Sequence, residues 1–377
     1  MIPTARPEIV IDDLEALRKA RDNGRSLKNC TLRAIDFTNA GIDWQAWEIT
    51  ETTFLGCTLP IEDEILLRRR GAYLYPAPSD LPYDPFRSEL YTWQELMHGY
   101  SETKDDSTDL RIYRHFSRSR FNPSINEALW QRIHDHAIDH SLRRLLRLDA
   151  RGMSTLRCVG FMGGHSTPRT DPFYVAAAEC ARLLAQRGFF IATGGGPGIM
   201  EAANFGAFFA DYPEETFRSA LQLLQAAPVY HHPDYHRSAL QVLERYPEGR
   251  ESLAIPTWFY GHEPSNLFAS FIAKYFSNSI REDTLLAVSL YGIVFAPGSA
   301  GTTQEIFMDA TQNHYGTYNF YSPMVFLSRK RYEIDTMIYP LLRQLAYGRA
   351  YQDLLFISDT PAEIVDFLLT HPPVPVD

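Results

Sequence analysis

The chain has 377 residues, of which 45% are hydrophobic and 22% charged, and it carries a formal charge of −10. Proteins that bind nucleic acid usually present a basic surface, so this acidic balance argues against a nucleic-acid partner. No apolar run approaches the ~20 residues that a membrane-spanning helix needs, and the first residues lack the basic-then-apolar order of a signal peptide. The four cysteines are scattered without CxxC spacing, which is typical of a reducing compartment. We therefore expect a cytoplasmic protein with no membrane partner.

The N-terminal part of the chain has a pattern of its own. Residues 29–60 alternate small or apolar residues with polar ones, which fits either a few strands or a short run of pentapeptide-like coils. A connector with four prolines follows at 76–90, and helices are predicted around 92–100 and 124–148. The second of these helices is predicted from an apolar period of 3.6 residues. The pattern indicates structure here but no function.

From residue 156 onward, short apolar strands alternate with helices. Six buried strands are predicted, at 156–162, 189–193, 253–258, 292–296, 324–328 and 354–358. A helix at 173–188 ends at Gly188, a residue typical of helix C-termini, and 211–250 is predicted to be a mostly helical insertion. This alternation predicts an α/β domain with a Rossmann-like, doubly wound parallel sheet and helices on both faces. We place that domain at 151–377, after an N-terminal accessory region of mixed structure at 1–150.

Two glycine-rich turns are the most informative segments, TGGGPGIME at 193–201 and APGSAGTTQE at 296–305. Each follows a predicted strand and leads into a predicted helix. Backbone N–H groups and the positive end of the helix meet at such a turn, which suits a phosphate or another anion. With the strand order 3-2-1-4-5-6, the loops after strands one and four (163–169 and 297–303) face each other at the switch point. We therefore expect these loops and the GGGPG turn to converge on one crevice.

Several common ligand sites lack the residues they need. Neither glycine turn continues into the Gly-Lys-Ser/Thr of a Walker A loop, and GFMGGH at 160–165 does not fit the dinucleotide pattern GxGxxG. The histidines at 134–140 and 231–236 have no third ligand at a recognised spacing, so solvated surface is the better interpretation of both. The basic run at 111–120 is more often exposed charge than a contact with a nucleotide phosphate or a partner. We expect no metal and no cofactor.

Three features together carry a resemblance to a known family. The chain has GGGPGIMEAAN at 194–204, Arg281, and PGSAGTTQE at 297–305. The family pattern is a GGGxxGxM loop, then an arginine about two dozen residues before a PGGxGTxxE loop. Residues 156–330 thus resemble the LOG ("Lonely Guy") phosphoribohydrolases and the related nucleotide 5′-monophosphate nucleosidases, long labelled as lysine decarboxylases. The chain departs from the pattern at Ser299, where the family has glycine, and at Gln304, where it has the first acid of an acidic pair.

The resemblance implies an enzyme that hydrolyses the N-glycosidic bond of a nucleoside 5′-monophosphate, giving free base and ribose 5-phosphate. It also implies a homodimer or a larger homo-oligomer. Cleavage of such a bond builds positive charge on the ribose ring, and a carboxylate stabilises that charge and activates water. Glu305 is the candidate carboxylate, and Arg281 is expected to clamp the phosphate or ribose or to orient Glu305. Asp309, one helical turn further on, is a candidate second acid or a structural residue.

The remaining candidate residues fall into two groups. The second glycine turn is expected to hold the phosphate, through Gly298, Ser299, Ala300, Gly301, Thr302 and Thr303. The first glycine turn and the loop after strand one are expected to line the rest of the substrate site, through Gly194, Gly195, Gly196, Gly198, Met200, Glu201, Gly164 and Ser166.

Two other functions stay open at the level of the sequence. The same scaffold could serve as a nucleotide-binding sensor or carrier without cleaving its ligand, and the departures at Ser299 and Gln304 keep that alternative. A regulator whose N-terminal region delivers the function, with an α/β domain that only senses a nucleotide, is the third. The sequence does not indicate which base is preferred.

Overall fold

The chain forms parallel sheets in two separate parts. The computed structural model describes residues 9–22, 24–101, 104–149, 152–263 and 266–376. Two compact units are distinguished, Met1–Ser88 and Glu89–Asp377. The sequence predicts a boundary between residues 150 and 151, so the structure divides the chain earlier than expected and assigns the described residues of 89–149 to the second unit.

The first unit is a stack of parallel strands. Its described residues form strands β1 Ile9–Ile11, β2 Cys30–Arg33, β3 Thr53–Leu55 and β4 Tyr73–Tyr75, with helices α1 Leu14–Asp22 and α2 Ile61–Arg69 and a 3₁₀ turn at Trp44–Ala46. The strand order is β1-β2-β3-β4 and neighbouring strands run parallel. Each strand therefore pairs in parallel with the strand that precedes it in the sequence.

The pairing in this unit repeats at five-residue steps. Residues in and around β2 pair with residues 22 positions later in the sequence: Ser26 with Glu48, Thr31 with Thr53, and Asp36 with Thr58. The buried side chains Leu32 and Phe54 occupy matching positions in this register. Strands and pentapeptide-like spacing, which the sequence offers as alternatives, are thus both present.

The second unit is organised around one parallel sheet. Its strands in the described residues are β5 Tyr100–Ser101, β6 Lys104–Asp105, β7 Cys158–Met162, β8 Phe190–Thr193, β9 Leu253–Ala254, β10 Phe271–Ile272, β11 Ile293–Phe295, β12 Phe320–Tyr321, β13 Met324–Leu327, β14 Leu355–Ser358 and β15 Val374–Pro375. Seven of these described strands form the sheet, in the order β10-β9-β8-β7-β11-β13-β14. The six predicted strands follow the order 3-2-1-4-5-6, which confirms the prediction. The sequence missed β10, which is two residues long, and β9 is shorter than predicted because Pro256 has no N–H to donate.

Helices cover both faces of this sheet, as predicted. Within the described ranges they are α3 Trp93–Met97, α4 Thr108–Ser119, α5 Ile125–Leu146, α6 Pro172–Gln186, α7 Ile199–Phe208, α8 Glu214–Gln225, α9 Tyr235–Arg245, α10 Asn278–Val288, α11 Ala300–Tyr315, α12 Ile338–Leu345 and α13 Pro361–Thr370. A π-helical turn at Lys330–Asp335 and a 3₁₀ turn at Gln352–Leu354 complete them. None of the helices in the described ranges is long and apolar enough to span a bilayer.

Helix α6 begins and ends at recognisable signals. The Asp171 carboxylate accepts a hydrogen bond from the Phe173 N–H at 2.8 Å, and Gly188, with φ at +79°, follows the last turn. Helix α7 packs so closely on α6 that a Cβ at Gly206 would lie 2.0 Å from the Ala178 carbonyl oxygen. This close packing fixes the start of α7 at the carboxyl edge of the sheet.

Residues 89–149 belong to the second unit because polar side chains and backbone join them to its edge strand. Tyr91 pairs with Ile272 of β10 through backbone hydrogen bonds of 3.0 and 2.8 Å. The Asp135 carboxylate of α5 accepts from the backbone N–H groups of Phe276 and Ser277, each at 2.9 Å. Contacts over such sequence separations leave no local pattern, so the sequence alone does not reveal them.

Candidate functional site

The loops after β7, β8 and β11 meet at Gly164, as the strand order predicts. The N–H of Gly164 donates to the Pro297 carbonyl at 3.0 Å, and the Gly164 carbonyl accepts from the Ile199 N–H at 3.1 Å. Gly198 has φ at +69°, and a Cβ there would lie 2.3 Å from the Gly164 carbonyl oxygen. The close approach of the loops therefore requires glycine at 198. The three loops form one crevice at the carboxyl edge of the sheet.

The N-terminus of α11 opens into this crevice. Ser299 is the N-cap, and Ser299, Ala300 and Gly301 are exposed. The Ser299 side chain makes no capping hydrogen bond, so the first-turn N–H groups of this 16-residue helix are not satisfied by their own N-cap and suit an anion. The φ of Ser299 is −109°, outside the left-handed region that favours glycine.

The predicted phosphate threonines lie against the turn itself. Thr302 is buried, and its hydroxyl lies so close to Gly298 that a Cβ there would be 2.1 Å from Oγ1. The Thr303 hydroxyl donates to the Ser299 carbonyl at 3.1 Å. Arg331, which the sequence analysis missed, donates from Nη2 to the Gly298 carbonyl at 2.6 Å. These contacts stabilise the turn and leave anion binding mainly to backbone N–H groups.

Arg281 joins the ends of two strands to α11. Its Nε donates to the Ile255 carbonyl after β9 at 2.8 Å, and its Nη2 lies 3.5 Å from the Gly194 carbonyl after β8. Its Nη1 donates to Oε1 of Glu305 at 3.2 Å. The Arg281 side chain is 10% exposed and that of Glu305 15%. The structure thus brings together the two residues predicted to be catalytic, in a largely buried ion pair.

Burial and the neighbouring charges shift the pKa of the Glu305 carboxyl group. Burial raises the pKa of Glu305 above its usual value, the charge and hydrogen bond of Arg281 act in the opposite direction, and the nearby Glu282 raises the pKa further. The net effect is a raised pKa. A carboxyl group whose pKa lies closer to neutral pH is a better general acid or base.

Glu282 places a carboxylate next to Gln304, the position at which the family pattern has an acid. Gln304 donates from Nε2 to Glu282 Oε2 at 2.8 Å. The other oxygen of Glu282 accepts from Asn278 Nδ2 at 2.7 Å and from the Tyr260 hydroxyl at 3.4 Å. An acid at position 304 would face the Glu282 carboxylate, whereas the amide of Gln304 bonds to it. The acidic pair of the family pattern is therefore replaced by an amide on α11 and an acid on α10.

A small pocket of about 80 Å³ lies against the first glycine turn. A Cβ at Gly194 would lie 2.3 Å from Nη2 of Arg281, and one at Gly196 would lie 2.7 Å from Cε of Met200. Because Gly194 and Gly196 have no Cβ, the side chains of Arg281 and Met200 can pack directly against the backbone of the turn. Gly195 also needs the freedom of glycine, since its φ is +77°.

The same pocket contains charged residues that the sequence analysis missed. Lys274 and Glu263 line it together with Arg281. Lys274 is buried, and its Nζ lies 2.8 Å from Oδ1 of Asp109 on α4. No local motif marks Lys274, because its partner lies 165 residues away along the chain.

Glu201, which the sequence predicts to line the substrate site, is paired with Arg169 in the structure. Its carboxylate accepts from Arg169 Nε at 2.8 Å and Nη2 at 2.6 Å, and from the Tyr174 hydroxyl at 2.9 Å. Arg169 also donates to Ser238 Oγ on α9 at 2.8 Å. Since Glu201 is 2% exposed, this ion pair stabilises the packing of the helical insertion against α7.

Two further candidates differ in their surroundings. Ser166 is exposed on the loop after β7. Asp309 is buried, its Oδ2 has no hydrogen-bond partner in the described ranges, and burial raises its pKa well above the usual value. Among the described residues, Asp309 thus lacks the basic partner that Glu305 has in Arg281. Elsewhere in the described chain, no three His, Cys, Asp or Glu side chains are placed to hold a metal ion.

Comparison with known proteins identifies the class of this fold. Residues 156–211 match the model of the family LDcluster4, described as SLOG cluster4. This segment contains β7, the loop after it and the GGGPG turn. The predicted resemblance to the LOG-type fold family is thereby confirmed. No curated protein matches the chain significantly.

Solved structures that match this chain do so at low sequence identity. The molybdenum cofactor binding protein of the phototrophic bacterium Rippkaea orientalis is 15% identical, with 57% of this chain and 96% of that one covered and a TM-score of 0.37. The Moco carrier protein of Chlamydomonas reinhardtii is 16% identical, with 57% and 98% covered and a TM-score of 0.35. Similarity at this level identifies neither a ligand nor a reaction for this chain.

We predict that Gly194→Ala destabilises the protein, whereas Gly301→Ala does not. The new Cβ at 194 would overlap Arg281 and also lie 2.7 Å from Met200 Sδ, but a Cβ at 301 meets nothing within 4 Å. Overpacking of this kind costs ~1–3 kcal/mol, while alanine in a helix gains ~0.5–1 kcal/mol over glycine. Thermal unfolding of both variants checks this, and equal melting temperatures would contradict it.

Proposed function

We propose that this protein hydrolyses the N-glycosidic bond of a nucleoside 5′-monophosphate, releasing free base and ribose 5-phosphate. The observation that carries the proposal is the 3.2 Å ion pair between Arg281 and Glu305, which lies just behind the open N-terminus of α11. The family resemblance supports the same reaction. That resemblance also implies a homo-oligomer, which we include in the proposal.

In this account the phosphate binds the backbone N–H groups at the start of α11. A phosphate there gains from the unpaired donors and from the helix dipole. Glu305 lies five residues into the helix, about 7 Å along its axis at ~1.5 Å per residue. A ligand held by its phosphate at Ser299–Thr302 can therefore reach Glu305 with its sugar.

Glu305 and Arg281 have different roles in the proposed reaction. As the bond from C1′ to the base breaks, its electron pair leaves with the base and positive charge grows on the ribose ring. The Glu305 carboxylate stabilises this charge and accepts a proton from water, whose oxygen attaches to C1′. The departing base takes up a proton from solvent, and Glu305 then releases its own proton to solvent. Arg281 fixes the orientation of the carboxylate and favours its ionised form.

A second candidate function is a nucleotide-binding sensor or carrier that does not cleave its ligand. Gln304 favours this candidate, because it removes one of the two acids of the family pattern from α11. The open helix N-terminus is equally suited to binding without reaction. The two candidates differ in turnover and agree on the location of the phosphate.

We predict that Glu305→Gln abolishes base release but leaves nucleotide binding intact. Loss of a general base lowers the rate by ~10²–10⁴-fold, while the phosphate contacts remain. The measurement is chromatography of free base after incubation with a panel of nucleoside 5′-monophosphates. Glu215→Gln is the matched control, since Glu215 is exposed on α8.

Two results would contradict the catalytic proposal. One is that the unmodified protein releases base from no nucleoside monophosphate. The other is that Glu305→Gln releases it at the full rate. Nucleotide binding by the unmodified protein without any turnover would instead support the sensor or carrier.

We predict that Glu282→Gln moves the acidic limb of the pH–rate profile to lower pH. Glu305 acts as a carboxylate, so activity rises as the pH increases through its pKa. Glu282 raises that pKa, and neutralising it lowers the pKa, so that the rise in kcat/KM occurs at lower pH. Asp283→Asn removes the same charge from an exposed neighbouring position and serves as the control. An unchanged or upward-shifted limb in Glu282→Gln would contradict this account of Glu305.

A further inference from the structure

A cavity of about 500 Å³ lies at the N-terminus of α10. Helices α4 and α5 form one side of it, and the segment after β9 and the start of α10 form the other. The glycine-turn pocket, at about 80 Å³, is far below the ~300–1,000 Å³ that ligand sites usually offer. The larger cavity falls within that range.

The walls of this cavity suit a flat aromatic ligand. It is lined by three phenylalanine rings, those of Phe116, Phe259 and Phe276. Phe116 and Phe276 have ring centroids 5.3 Å apart. The Arg120 guanidinium lies 5.6 Å from the Phe259 ring and donates from Nη1 to the Phe259 carbonyl at 2.6 Å. Aromatic faces and a planar cation are the surfaces on which nucleobases stack.

The cavity also has polar groups that are not saturated. Asn278 and Arg120 both line it. Within the described ranges, Asn278 Oδ1 and Arg120 Nε have no hydrogen-bond partner. Buried polar atoms are nearly always paired in native proteins, so an unpaired acceptor and an unpaired donor on two lining residues favour a polar ligand. The edge of a nucleobase offers donors and acceptors side by side.

One residue connects the cavity to the proposed catalytic pair. Glu282 lines the cavity and accepts from Gln304, the residue before Glu305 on α11. Arg281, the residue before Glu282 on α10, bonds to Glu305. Two contacts between α10 and α11 thus link the lining of the cavity to Glu305.

Building on the proposed function, we infer that this cavity binds the nucleobase of the substrate. The helices that form it, α4 and α5, lie outside residues 156–211, which match the family model, and outside the segment that resembles the LOG enzymes. Base selection is thus a property that residues 108–146 add to the shared α/β fold. Binding of the base is then the function of α4 and α5, for which the sequence indicates none.

The experiment places a larger side chain in the cavity, at a residue that is not part of the Arg281–Glu305 pair. Ala128 on α5 lines the cavity and is half-buried. Ala128→Trp would occupy the space of the base, and Ala128→Ser is the matched control. Both are made in the Glu305→Gln protein, so that binding is measured without turnover. Titration calorimetry with a nucleoside 5′-monophosphate and, separately, with ribose 5-phosphate gives the two affinities.

We expect Ala128→Trp to weaken the nucleotide at least about tenfold, in line with the loss of a stacked base, and to leave ribose 5-phosphate unchanged. Ala128→Ser should bind both ligands like its parent. Phe259→Ala, which removes one wall instead of filling the space, should weaken the nucleotide selectively as well, and circular dichroism checks that each variant is folded.

Three outcomes overturn the inference. Folded Ala128→Trp and Phe259→Ala proteins with unchanged nucleotide affinity would show that the base lies elsewhere. An equal loss for nucleotide and ribose 5-phosphate would show that the cavity does not act on the base. If the Glu305→Gln parent binds neither ligand, the proposed function itself fails, and the base site fails with it.

Discussion

One buried guanidinium organises the candidate site. Arg281 bonds to the Ile255 carbonyl after β9, lies against the Gly194 carbonyl after β8, and pairs with Glu305 on α11. Removing any of these partners would leave a charge in a largely buried position, at a cost greater than that of losing an exposed ion pair. This requirement explains why position 194 has no side chain. It also means that the arrangement of the loops and the ionisation of Glu305 depend on the same group.

Three carboxyl groups near the crevice illustrate how surroundings decide function. Glu201 is saturated by Arg169 and Tyr174 and stabilises the insertion. Asp309 is buried without a partner for Oδ2 among the described residues, and burial raises its pKa well above the usual value. Only Glu305 among these three combines a cation, partial exposure and a raised pKa.

Much of the fold follows from local patterns in the sequence. Short apolar runs and glycine turns predict six strands of the sheet, their order and the crevice, because each pattern reports its own segment. Contacts over long separations leave no such signal: Asp135 with the backbone of Phe276, Lys274 with Asp109, and Glu282 with Gln304. For the same reason the pairing of Glu201 with Arg169 and the contacts of residues 89–149 with the sheet edge leave no local signal in the sequence. Residues of the site held by backbone turns could be predicted, and those held by distant side chains could not.

The central claim is that one ligand places its phosphate at α11 and its sugar at Glu305. A crystal structure of the Glu305→Gln protein with a nucleoside 5′-monophosphate tests this most directly. The account predicts phosphate oxygens ~3 Å from the N–H groups at Ser299–Thr302, and C1′ facing the side chain at position 305. A phosphate bound away from the start of α11, or a sugar turned away from position 305, would contradict it.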